Sequence, residues 1–274
     1  MSKNAFAVSN IAWERHDDES ILALLSEYGV TGVEIAPSKV WTDLGSVSEK
    51  AAAAYREFLA DHGFSIPALQ AILYGHPELQ VFAPRTHSAF FDRLETVARI
   101  ASWLGAPVLV FGAPKNRKRN GTAYSEAFKT AAEFFHKAGE IVAKYACVLG
   151  IEANPVEYQC DFITNTADAA SLVAAADSKG IALHIDSGAT AMTKEKIGDV
   201  ISGLHTRFVH YHISEPMLEN VSGNLVDHES AFRALKKIGY NGAVSIEMKQ
   251  KPDEKRNLAD ALSFIRRAMD HASF

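Results

Sequence analysis

The sequence predicts an α/β chain folded as a (β/α)8 TIM barrel, and three observations carry that prediction. Apolar, β-branched runs alternate with amphipathic stretches from one end of the 274-residue chain to the other. Strict alternation requires a parallel sheet with helical crossovers. Eight such units can be counted, which favours closure into a barrel over an open doubly wound sheet, and barrels of this kind typically run to about 250 residues. Finally, the last four strand-like runs each end on a metal-ligand type: Glu152, Asp186, His212 and Glu247. They are separated by roughly thirty residues, about one βαβ step. No GxGxxG turn follows the first strand, so a dinucleotide-binding fold has no support. With no linker, low-complexity stretch or composition break, one domain over residues 1–274 is expected.

The elements follow in order. Residues 5–10 read as the first strand, and residues 19–28 carry Ile21, Leu22, Leu24 and Leu25 as a helical stripe. Gly32-Val33-Glu34-Ile35 is a short second strand stopped by Pro37. Residues 48–62 are alanine-rich, as a helix prefers, and end before Gly63. Residues 65–73 form the third strand, and residues 86–104 a long amphipathic helix ended by Gly105. Val108-Leu109-Val110-Phe111 is a continuous apolar run of the kind buried on both faces. A helix over 125–145 precedes the fifth strand, 148–152, and Thr166 looks like the N-cap of a helix running to about Asp177. The sixth, seventh and eighth strands are 181–186, 208–212 and 243–247, followed by helices at 194–204, 229–238 and 257–270.

Composition narrows the function classes. The net charge of −5 and pI of about 6.1 argue against nucleic acid as a partner, which wants a basic face. They leave room for one phosphate on a local basic loop. Cys147 and Cys160 lie in no CxxC pair or zinc-ligand spacing and are expected to be plain thiols in a reducing compartment. The first ten residues lack the apolar core of a signal peptide, and no run approaches the ~18 apolar residues of a membrane helix. A cytoplasmic protein with no membrane partner is expected.

If the strands are parallel in one barrel, their carboxyl ends share a face, where barrel active sites are built. Glu152, Asp186, His212 and Glu247 could then converge on one divalent cation. One Glu at a strand end is commonly a solvated loop residue; four ligand types ending four successive strands are much harder to dismiss. Three carboxylates and an imidazole suit Mn2+, Mg2+ or Co2+, with Zn2+ also compatible. No thiolate takes part, so this is not a structural zinc pattern. His184 and His210 precede Asp186 and His212 by two residues and therefore share their face of the strand. They are either buried histidines satisfied by neighbours or supports for the ligands.

Gly32-Val33-Glu34-Ile35, Ile151-Glu152-Ala153-Asn154-Pro155, His184-Ile185-Asp186, His210-Tyr211-His212-Ile213-Ser214-Glu215 and Ser245-Ile246-Glu247 together resemble the sugar phosphate isomerase/epimerase superfamily. These are the barrels similar to xylose isomerase and ketose 3-epimerases. The resemblance spans essentially the whole chain and implies that Glu152, Asp186, His212 and Glu247 are the metal quartet. It further implies that Glu152 and Glu247 move protons on opposite faces of a carbonyl substrate through an enediolate. Such a proton is too weakly acidic for a carboxylate unless a Lewis acid stabilises the oxyanion. The implied partner is a small-molecule sugar or sugar phosphate, and a homo-oligomer is compatible with the resemblance. Two family positions depart from the epimerase pattern: the substrate-binding His three residues after the metal Asp is Ala189, and the Arg six residues after the metal His is Leu218.

Substrate contacts are therefore sought at other strand ends. Asn10, Trp13, Glu34, Gln70 and His76 follow or end the first three strands. Trp13 could stack on a sugar or simply pack. The loop Lys115-Asn116-Arg117-Lys118-Arg119 follows strand four, so Asn116 and Arg117 could hold a phosphate or carboxylate. The alternative there is a solvated charged loop. Residues 112–123 are long enough to act as a lid. Asn154, Glu157 and Tyr158 are expected to overhang the pocket after Glu152, and His184, His210 and Glu215 complete the candidates. The same residues allow a dehydratase or hydroxypyruvate-type isomerase, or a non-catalytic sugar-binding barrel. An endonuclease IV-like abasic-site nuclease is disfavoured by Ala189, where its fold needs another His ligand, and by the acidic balance.

Overall fold

The apolar runs become eight strands of one parallel sheet that closes on itself. The computed structural model describes residues 5–204 and 208–274; residues 1–4, the start of the segment read above for a signal peptide, lie outside it, as do 205–207. In chain order the elements are β1 (Phe6–Ser9), α1 (Asp18–Glu27), β2 (Gly32–Glu34), α2 (Pro37–Val40), α3 (Glu49–Asp61), β3 (Ala68–Leu69), α4 (His87–Leu104), β4 (Val108–Phe111), α5 (Tyr124–Ala143), β5 (Val148–Glu152), α6 (Thr166–Ala176), β6 (Ile181–Asp186), α7 (Ser187–Met192), α8 (Ile197–Ser202), β7 (Phe208–Ile213), α9 (His228–Lys237), β8 (Ala243–Ile246) and α10 (Glu254–Ala272). The strand order is β2-β1-β8-β7-β6-β5-β4-β3. The seam between β2 and β3 is bridged at Gly32–Ser65 and Ile35–Leu69. Its hydrogen bonds run from Val33 N to Ser65 O (2.9 Å) and from Gln70 N to Ile35 O (2.9 Å). The chain is thus a (β/α)8 TIM barrel.

Two elements differ from the sequence reading. The third strand, expected over 65–73, keeps only Ala68–Leu69. Pro67 has no N–H for the ladder, and Ala71 turns the chain out of the sheet at φ 52°. The step after Asp186, expected as one helix over 194–204, is split into α7 and α8. α7 starts at once because the Asp186 carboxylate accepts from Ala189 N at 2.6 Å and caps it. α4 ends as expected on Gly105, which adopts φ 74°.

The register positions the strand ends. Glu152 pairs with His184, and Asp186 pairs with His212. His212 pairs with Ser245, and Glu247 N bonds Ile213 O, so the eighth strand's glutamate follows one step above. β6 is buried along its whole length, as expected of a strand covered on both faces. The main core lies between the sheet and the helical shell, with Phe90 edge-on to Phe134, and Phe135 edge-on to both Phe111 and Phe134. Cys147 and Cys160 are both free and buried. No helix among the described residues is long and apolar enough to cross a membrane.

Candidate metal centre

Asp186, His212 and Glu247 converge, with one ligand atom of each lying within 4.8 Å of the others. Asp186 is fixed on both oxygens: Oδ1 accepts from Ala189 N and Oδ2 from Ser214 Oγ, each at 2.6 Å. Ser214 is itself held, its N–H donating to Ser187 Oγ at 2.9 Å. His212 Nδ1 lies 3.1 Å from Glu247 Oε2 and 3.8 Å from Asp186 Oδ2. Neither approach has hydrogen-bond geometry, and Nδ1 is a buried nitrogen without a hydrogen-bond partner. An orphaned imidazole nitrogen facing two carboxylates fits a divalent cation, and the oxygen-rich donor set suits a hard or borderline one.

Glu152 stands beside this trio. Asn154 Nδ2 donates to Glu152 Oε1 at 3.1 Å, and Arg117 Nη2 donates to Asn154 Oδ1 at 2.8 Å. Burial, followed by repulsion from Asp186 and Glu247, pushes Glu152 up to about 8. Burial and Glu247 likewise raise Asp186 to about 6. Crowded carboxylates with one imidazole hold protons that a cation would displace.

Beneath the site lies a buried ring of Glu34, His184, His210 and His212, none more than 1% exposed. Glu34 sits across the barrel interior with its two oxygens 3.0 and 3.1 Å from His212 Nε2, and Oε1 is 3.3 Å from His210 Nε2. Burial opposes its charge, but His212 and then His210 outweigh that and hold Glu34 well below the usual carboxylate range. Burial also opposes a charged His212, and Glu34 and Glu247 outweigh it to hold that imidazole well above its usual value. Burial keeps His184 neutral, helped by the neighbouring His212 and His210. Its ring packs edge-on to His212 at 4.2 Å between centroids.

The remaining expected contacts fall into different places. Trp13 is 1% exposed, packed in the core with Nε1 donating to Asp18 Oδ1 at 2.8 Å. Gln70 is buried and donates to Ser9 Oγ at 2.6 Å. His76 is part-exposed on the loop after β3, with Nδ1 3.0 Å from Glu78 Oε1. Asn116 donates to His76 O and Leu79 O, both at 2.7 Å, and so ties two loops together. Arg117 is buried against Asn154 and Cys160 Sγ, and Arg119 is bound to Asp161 and Thr122. Hence Asn116, Arg117 and Arg119 of the basic loop bind protein. Glu157 is exposed after β5. Glu215 is buried and accepts from Gly223 N at 2.8 Å.

One position escaped the sequence reading. A Cβ on Gly112, at the end of β4, would sit 1.8 Å from Glu152 Oε2. The Gly after the Val108–Phe111 run was the available signal, since strand glycines mark close approach. Tyr158, expected with Asn154 and Glu157 to overhang the pocket, reaches the loop after β7, its hydroxyl accepting from Met217 N at 3.0 Å. Nothing local in the sequence announces that contact.

Solved structures share this fold. The D-psicose 3-epimerase of Clostridium cellulolyticum H10, solved with D-tagatose, superposes with a TM-score of 0.80 at 13% identity, covering 97% of this chain and 99% of that one. An L-ribulose 3-epimerase superposes with a TM-score of 0.80 at 16% identity, covering 98% and 96%. The IolI protein, solved with a zinc atom, gives a TM-score of 0.72 at 18% identity, covering 98% of each. At these identities the likeness is one of fold. Comparison with curated proteins finds no match. Residues 22–268 match the family model described as xylose isomerase-like TIM barrel, and the chain belongs to that family.

Proposed function

We propose that this chain is a divalent-metal-dependent isomerase or epimerase of a ketose or related sugar. The observation that carries the reading is the meeting of Asp186, His212 and Glu247 at adjacent strand ends, with His212 Nδ1 orphaned between the carboxylates and Glu152 alongside. Asp186 and His212 hold the cation, and Glu152 and Glu247 both bind it and exchange protons with substrate. When bound, the cation supplies Lewis-acid stabilisation of the oxyanion that develops as the proton beside the carbonyl leaves. One glutamate removes that proton, and the other returns a proton on the opposite face. Asn154, braced by Arg117, keeps the Glu152 carboxylate from rotating away from the reacting carbon.

An unphosphorylated sugar suits the site better than a sugar phosphate. Asn116, Arg119 and the Nε and Nη2 of Arg117, donors of the loop that might have gripped a phosphate, are engaged with protein. The structural neighbours named for D-psicose and L-ribulose point to the same class. The test is deuterium wash-in, with Mn2+-loaded protein and a panel of ketoses and ketose phosphates in D2O followed by NMR. Deuterium beside the carbonyl of a free ketose is the expected result. Exchange confined to phosphates would reverse the substrate assignment, and exchange with no carbonyl compound would overturn the enolising reaction.

The raised carboxyls give this reading a pH signature. Around pH 7 the cation has to expel protons from Glu152 and its neighbours, so Mn2+ affinity should climb towards pH 8.5 and weaken below pH 6. Calorimetry in two buffers of different ionisation enthalpy should show about two protons released per cation at pH 7, one from Glu152 and one from His212 Nδ1. The cation-free protein has the opposite trend. Glu152 and Asp186 bind protons more tightly folded than unfolded, so stability falls as pH rises through their folded values of about 8 and 6. A cation-free melting temperature that rises between pH 6 and 8.5 would contradict this account.

A further inference from the structure

We infer that Glu34 is a positioning residue for the metal centre: through His212 Nε2 it fixes which imidazole nitrogen faces the cation. The inference rests on the proposed ligand set, and it concerns a residue that the sequence placed among substrate contacts. The geometry leaves Glu34 no route to a substrate. Its side chain is fully buried, and both oxygens lie at hydrogen-bond distance from His212 Nε2. β2 and β7 are not neighbours in the sheet; β1 and β8 lie between them, so the carboxylate spans the barrel interior beneath the strand ends.

The consequence is a choice of tautomer. A neutral imidazole carries one N–H and one lone pair, and the hydrogen bond at one nitrogen decides where the lone pair sits. Glu34 is a carboxylate and can only accept. It therefore keeps the proton on Nε2 and turns the Nδ1 lone pair towards Asp186 and Glu247. The same carboxylate lies 3.3 Å from His210 Nε2. Asp186 is comparably fixed by Ser214 and Ala189, so two ligands from adjacent strands enter the site with preset direction. Partners of this kind commonly change metal affinity by 10- to 100-fold.

The experiment compares unaltered protein with Glu34→Gln and Glu34→Leu. Titration calorimetry with Mn2+ at pH 8 is expected to show binding about 10-fold weaker in Glu34→Gln, whose amide oxygen still accepts, and about 100-fold weaker in Glu34→Leu. Long-range 1H–15N spectra of the Zn2+-loaded proteins supply a readout that a purely structural role would not move. The unaltered protein should carry the His212 proton on Nε2 alone. If Glu34→Leu does not fold, the Gln variant decides alone. Affinities within twofold of the unaltered protein in a folded variant would overturn the inference while leaving the ligand set standing. Failure of the unaltered protein to bind any divalent cation would overturn the ligand set, and this inference with it.

Discussion

Glu247→Gln and Glu152→Gln should each slow deuterium exchange at the carbon beside the substrate carbonyl by roughly 10²- to 10⁴-fold, the contribution usual for a positioned acid or base. The amide is nearly isosteric with the carboxylate, so the fold should survive in both. The two variants are expected to differ in direction. With one proton-transfer group on each face, losing one blocks exchange into one epimer more severely than into the other. Starting from each epimer separately therefore assigns the two faces. Glu152→Gln has a second effect in the cation-free protein. A buried carboxyl pushed up to about 8 by burial, Asp186 and Glu247 is destabilising once ionised. Its neutral replacement should stabilise the cation-free fold at pH 8.5 by on the order of a few kcal/mol, read by denaturant titration. A variant retaining more than a tenth of the exchange rate from both epimers would remove that glutamate from the chemistry.

Gly112→Ala is expected to damage the site as severely without altering a ligand. The added methyl would lie 1.8 Å from Glu152 Oε2 and 2.8 Å from its Cδ, distances at which one group has to move. β4 is hydrogen-bonded to β5 through the Phe111–Ile151 pair, so the backbone has little freedom to retreat and the carboxylate is displaced. We expect Mn2+ affinity to fall at least about 10-fold and exchange about 100-fold, since a displacement of about 1 Å can cost that much. The double variant Gly112→Ala/Glu152→Asp tests the cause: the shorter acid withdraws from the methyl and should recover part of the affinity. Normal affinity and exchange in Gly112→Ala would show that Glu152 has room to spare.

The strand ends were legible because each joins an abrupt change in chemistry to an apolar run: Ile151 gives way to Glu152, Ile185 to Asp186, Ile246 to Glu247. Other features depend on contacts remote in sequence. Glu34 meets His212 across 178 positions, and only closure of the sheet brings the two together. Trp13 offered a sugar-stacking face or a packing face with equal plausibility, and Asp18 as acceptor for its N–H accounts for the packed one. The basic loop shows charge in the sequence, but Asn154, Cys160 and Asp161 take up Arg117 Nε and Nη2 and Arg119 only once the next loop folds beside it. α7 was missed because Ser187-Gly188-Ala189-Thr190 has no helical stripe; its start is dictated by Asp186, already read as a ligand.

The proposed ligands come from the consecutive strands β5, β6 and β7 and from Glu247, the residue that follows β8. A bound cation would then act as a cross-link within one half of the barrel. Ligand binding to the native state alone raises stability by mass action, but here the gain is local in space. Amide protons of β5 to β8 should exchange more slowly with the cation present, while β3, two residues long and joined to β2 by isolated bridges, stays the place where the barrel opens first. Through Glu34 a bound cation would also reach β2 across the barrel interior, and would so bear on how firmly the two halves of the chain are joined.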